Sequence, residues 1–161
     1  MLRKLVAGVG FALALEGGAP EALARGEFTS GNWEGAASFD GRKFQNCHMS
    51  ASYRSGWEVF FLMDGDGNIF LGFDKDGLGL VEGDEDEFDM WIDNSRVITR
   101  KFVALSKTMF ATKFTDTVEW FRLLQRGNSL RIDVGDHVES FSLAGTNAAL
   151  QKLLQCVANY R

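Results

Sequence analysis

Between Asn32 and Leu80, short apolar or alternating runs are broken again and again by glycine turns. The runs NWEGAASF, QNCHMSASY, WEVFFLM and NIFLGF are separated by DGR, SG, DGDG and DKDG. Asp-Gly pairs supply the positive φ of tight hairpins and keep polar tips in water, so this stretch reads as strands joined by hairpins. WEVFFLM has a second apolar face, Phe60 and Leu62, which suits a strand buried on both sides. EFDMWID alternates cleanly: Phe88, Met90 and Ile92 share one face, Asp89, Trp91 and Asp93 the other. Trp91 therefore stands among acids, either half-exposed or covered by a neighbouring element.

After an Asn94-Ser95 turn, RVITRKFVALS is β-branched and amphipathic, and KTMFATKF continues it or pairs with it. The period then changes. In TDTVEWFRLLQRGN, Val118, Phe121, Leu124 and Trp120 fall at helical spacing, Asp116 or Thr117 suits the start, and Gly127 suits the position past the end. SLRIDV and HVESFSL flank a Gly135-Asp136 turn as a hairpin. The last run, AGTNAALQKLLQCVANYR, opens on Thr146 as an N-cap and aligns Ala149, Leu150, Leu153, Leu154 and Val157 on one helical face. The expected fold is α+β: a mainly antiparallel β sandwich or open barrel with two helices in the C-terminal half.

The first residues, MLRKLVAGVGFALALEGGAPEALA, have two cations, an apolar run from Leu5 to Leu15 and a small-residue site at Ala22 to Ala24. That is the layout of a secretory signal peptide spanning residues 1–24, leaving 25–161 as one β-rich domain. The apolar run is shorter than the roughly twenty residues of a spanning helix, and no other segment is apolar enough to cross a bilayer. The expected location is periplasmic or secreted.

The chain has 17 Lys and Arg against 22 Asp and Glu. Such a balance argues against nucleic-acid binding, which depends on neutralising phosphates. Eleven acids and one cation, Lys75, lie between Met63 and Asn94; ten cations and five acids follow from Ser95 onward. Two neighbouring segments that neutralise one another across a sheet would explain this pattern. So would an acidic lip of Asp84, Glu85, Asp86, Glu87, Asp89 and Asp93 with Trp91 that attracts a cationic ligand or an envelope protein.

Cys47 and Cys156 are the only cysteines. In an exported chain an even count points to a disulfide, which would pin the last helix to the second strand. Free structural thiols and a reactive Cys47 are the alternatives. His48 is a poor activator of its own neighbour, because adjacent strand residues face opposite ways.

In DGDGN, Asp64, Asp66 and Asn68 match positions 1, 3 and 5 of an EF-hand calcium loop, but positions 6 and 12 are Ile69 and Lys75. A hairpin turn needs fewer assumptions, so these three residues are weak metal candidates and no cofactor is expected. G-x-S-x-G, H-E-x-x-H and phosphate-binding glycine motifs are all absent from the sequence.

Near the C-terminus, Phe141, Leu143, Gly145, Thr146, Ala149, Leu150, Leu153 and Cys156 spell F-x-L-x-G-[ST]-x-x-A-L-x-x-L-x-x-C. The motif resembles the close of small exported proteins of Gram-negative, mainly alphaproteobacterial, origin, some of them similar to the invasion-associated locus B family. Cys47, Ser55-Gly56, Ile92-Asp93 and the Leu124, Gly127, Leu130 step extend a weaker resemblance over the rest of the chain. The resemblance implies a periplasmic, disulfide-closed, β-rich domain and carries no established catalytic residues. The expected role is an envelope accessory or interaction module without catalytic activity; the alternative is a small hydrolase using acidic residues, with calcium.

Overall fold

Alternating burial along nearly every strand shows how the pattern folds: one face of each strand is driven inward by its apolar residues and the other is left toward water. The computed structural model describes residues 25–115, 117–135 and 137–161. The expected leader, residues 1–24, and the turn or cap residues Asp116 and Asp136 lie outside the described residues.

The strands are β1 (Arg25–Ser30), β2 (Trp33–Asp40), β3 (Lys43–Ser52), β4 (Trp57–Asp64), β5 (Ile69–Lys75), β6 (Glu85–Ile92), β7 (Ile98–Ala104), β8 (Met109–Phe114), β9 (Ser129–Val134) and β10 (His137–Ser142); helix α1 (Thr117–Arg126) precedes β9 and helix α2 (Thr146–Tyr160) ends the chain. All ten strands join one antiparallel sheet in the order β1-β2-β3-β4-β5-β8-β7-β6-β9-β10. The sheet is not closed by pairing of its end strands, yet it curls until they meet other elements. Tyr53 Oη donates to the Ser142 carbonyl at 2.8 Å, and Lys75 Nζ lies 3.6 Å from Glu139 Oε1. The open-barrel form of the expected α+β fold is what the chain adopts.

The inner face holds an aromatic cluster of Trp57, Phe73, Phe88, Phe110 and Phe141, and α2 packs its Leu150, Leu153 and Val157 against β1 to β4. No described helix is long and apolar enough to cross a membrane.

Several local expectations change. β1 carries only Phe28 as a large apolar residue, so periodicity did not mark it; pairing with β2 makes it a strand. Cys47 consequently lies on the third strand rather than the second. Gly145, at φ 80°, occupies the N-cap of α2, whereas Thr146 is the first helical residue, fully buried, and its hydroxyl has no hydrogen-bond partner. The left-handed conformation is open to glycine at little cost, which explains why the turn carries it. Gly127 does not adopt positive φ; its need is space, since a Cβ there would meet Ile92 Cγ2 at 2.3 Å. On α1 the inward residues are Trp120 and Leu124, while Val118 is exposed.

Candidate functional site

The acidic strand β6 lies between two strands that carry cations. Its register sets Glu87 opposite Lys101 on β7 and Trp91 opposite Arg131 on β9. Trp91 is half-buried, and Phe88, Met90 and Ile92 fill the core as their alternation predicts. Two of the seven lip residues have partners within the chain. Asp89 Oδ1 accepts the Thr99 hydroxyl at 2.6 Å, and the Asp93 carboxylate accepts the Asn128 and Ser129 amides at 2.9 to 3.2 Å. Asp93 also adopts φ 49°, so it ties the end of β6 to the start of β9. Asp84, Glu85, Asp86 and Glu87 are the exposed remainder, although Asp86 Oδ1 accepts the Glu87 amide at 2.8 Å.

The DGDGN tip is organised by hydrogen bonds inside the turn. Asp64 Oδ1 accepts the Asp66 and Asn68 amides at 3.0 and 2.9 Å, and Asp64 Oδ2 accepts the Asn68 side-chain amide at 2.7 Å. Asn68 thus turns a donor toward Asp64, and among the described residues no three His, Cys, Asp or Glu side chains converge as a metal site would require. Slight burial works to raise the Asp64 pKa, but the bonds from Asn68 and Asp66, with Lys113 nearby, outweigh it and hold the carboxyl below its ordinary 3.8. A group whose pKa is depressed on folding stabilises the native state above the unfolded pKa and loses that contribution as pH falls through the folded one. The stability gap between wild type and Asp64→Ala is therefore expected in full above pH 3.8 and to shrink in more acidic solution. Urea unfolding of both proteins across that range checks it; a gap that does not change with pH would refute it.

Cys47 and Cys156 form a disulfide with Cα atoms 6.2 Å apart. Cys47 is fully buried, and His48 faces outward on the same strand, half-buried, with burial lowering its pKa below 6.5.

A groove of about 780 Å³ lies on the outer face of the sheet, where no site was expected. Its floor is apolar, built from Phe60 and Leu62 of β4, Phe70 of β5 and Val103 and Leu105 of the β7–β8 hairpin. The Phe60 ring lies flat over Gly72, where a Cβ would come within 1.9 Å of it. Lys101 and Lys113 line the groove from the outer face and Arg100 from beneath, with Glu85 as the carboxylate. Inward-facing Phe102 and Thr112 line the same groove as outward-facing Val103 and Lys113, so the groove cuts into the sheet itself. The cause is in the register. Among the described residues β7 and β8 share two pairs, Val103 with Ala111 and Ala104 with Phe110, and then diverge. Beneath the divergence the Arg100 guanidinium sits 5.7 Å from both the Phe114 and Trp120 ring centroids, and those two rings stack.

This fold has a solved counterpart. The chain is similar to the crystal structure of invasion associated protein B from Bartonella henselae, with a TM-score of 0.59 and 14% identity, covering 84% of this chain and 99% of that one. No family model and no curated protein matches the chain. At this identity the likeness to invasion associated protein B is one of fold.

Phe60 and Leu62 corrected the expectation of a strand buried on both sides: each is only half-buried, because among the described residues no second layer covers that face. Their apolar character was the one signal of the groove in the sequence. Lys101, Lys113 and Val103 gave none, since isolated exposed lysines and valines are ordinary on a sheet surface.

Proposed function

We propose that this chain is an exported accessory domain of the cell envelope that acts by binding a partner in the outer-face groove rather than by catalysis. The observation that carries this reading is the pairing of an apolar floor left half-exposed among the described residues (Phe60, Leu62, Phe70) with cations at a break in the sheet, Lys101 and Lys113 on the outer face and Arg100 beneath. Contiguous exposed apolar surface rimmed by polar groups marks interaction sites. The chemistry lining the groove is suited to recognition: three cations, threonine hydroxyls and one carboxylate, with neither histidine among the lining residues, although His48 stands opposite Leu62 on the neighbouring strand. Closure by a disulfide fits an oxidising compartment, and the fold shared with invasion associated protein B is in keeping with an envelope role.

The test is expression with the leader in a Gram-negative host, with a photo-crosslinking side chain at Leu105, in the groove lining, or at Val118, exposed on α1. A periplasmic species starting at Arg25 without alkylatable thiols is expected, with adducts formed from Leu105 and absent from Val118. A cytoplasmic full-length species, or equal labelling from both positions, would refute the reading.

A further inference from the structure

The register of the β7–β8 hairpin says why the sheet opens there. Continuing it by one rung would set Phe102 opposite Thr112, and by a second rung Lys101 opposite Lys113 on the outer face. Like charges directly opposite each other destabilise a strand pair. The next rung would bring Arg100 to Phe114, and there the Arg100 guanidinium lies inward against the stacked Phe114 and Trp120 rings. Pairing stops two residues before the lysines would meet.

Two strand edges are left facing the groove. β7 pairs with β6 on its other side, from Met90–Ile98 to Glu85–Val103, and β8 pairs with β5 on its other side, from Ile69–Phe114 to Asp74–Met109. Backbone groups on such edges are templates for an added strand. Between them stand two lysines of one sign, on a chain whose overall charge is −5. Lys113 extends over Phe70, its Nζ 6.0 Å from the ring centroid.

Resting on the binding role proposed above, we propose that the split between β7 and β8 is a slot for an extended segment of a partner protein, which adds as a strand and seats an acidic side chain between Lys101 and Lys113. Side chains alternate across a strand, so the residues flanking that acid point inward, one toward Phe102 and Thr112, the other toward Phe114 and the Arg100 guanidinium that rests beside its ring, and both are apolar or aromatic. The recognised pattern is apolar-acidic-apolar in an extended chain. An acyl chain with an anionic head would match the charge and the floor but would leave the strand edges unpaired, whereas a peptide pairs them.

A phage-displayed random dodecapeptide library, selected on the full, oxidised protein, tests this directly. Enrichment of alternating apolar and acidic sequences is expected. The best of these peptides should slow hydrogen exchange at Thr99–Phe102 and Thr112–Phe114, and should bind about tenfold more weakly when its alternate amides are N-methylated, because each lost main-chain bond costs affinity. Lys101→Gln removes the repulsion without setting a second acid opposite Glu87 on β6, so it should close the split, protecting the same amides without any peptide and abolishing binding. Lys101→Glu with Lys113→Glu restores like charges and should invert the selection toward lysine-bearing peptides, which keeps the test decisive if the single variant folds poorly. Absence of enrichment, equal binding of the N-methylated peptide, or laurate protecting those amides where no peptide does would each overturn the slot. Groove-specific crosslinks that persist alongside such a failure would leave the binding role standing with another kind of occupant; loss of the crosslinks would remove the role itself.

Discussion

Replacing Cys47 and Cys156 by alanine is expected to lower the free energy of unfolding by about 3 to 5 kcal/mol. The two residues are 109 apart in sequence, so the bridge closes a loop that runs from β3 to α2 and leaves β1 and β2 outside it. In the chain-entropy account a loop of this length restricts the unfolded ensemble by on the order of 4 to 5 kcal/mol, and replacing two small buried side chains adds a minor packing loss. The bridge joins β3 to α2, the helix that covers the inner face of β1 to β4, so α2 undocks readily without it. Cys156→Ala alone should cost nearly as much as the double substitution, since either one removes the crosslink. Urea unfolding of the three proteins checks this. A single variant near wild-type stability would mean that the crosslink adds little and packing alone holds α2.

Phe73→Ala should cost about 3 to 5 kcal/mol, as deletion of a fully buried aromatic generally does. Phe73 on β5 is fully buried, with ring centroids of Phe110, Phe141, Phe88 and Trp57 at 5.3, 5.7, 5.8 and 6.4 Å. Those residues belong to β8, β10, β6 and β4, so one ring links both halves of the curled sheet. A void there strips contacts from four neighbours that backbone pairing holds in place and that relax only in part. Phe70→Ala, three residues earlier on the same strand but on the uncovered face, should cost at most about 1 kcal/mol, in the range of surface changes. The contrast is measured by urea midpoints at constant slope. Equal losses at the two positions would show that the outer face is covered in solution.

The strand pattern was legible wherever glycine turns delimited alternating runs. β2 to β6 and the β9–β10 hairpin follow from it, because local turn chemistry and side-chain period act within a few residues. Both helices were legible from their spacing. β1 was not, because an edge strand with one large apolar residue is made by its partner. The acidic lip was legible as a charge run but not as chemistry: whether Asp93 faces solvent or accepts the Asn128 and Ser129 amides depends on residues 35 and 36 positions away. The turn at Asp64 was legible from its own five residues, since every hydrogen bond that orders its carboxylate comes from within them.

The groove belongs to the other class. Phe60, Leu62 and Phe70 were visible as apolar residues, but nothing local says that no layer covers them. Lys101 and Lys113 are twelve positions apart, and their confrontation exists only in the register of one hairpin. By itself the sequence determined the antiparallel pattern, the two helices and a cysteine pair suited to oxidation, because these rest on short-range periodicity and composition. Tertiary structure alone decided where the sheet curls, which apolar face stays bare and where the ladder stops, because each depends on which distant side chains are forced to share a rung.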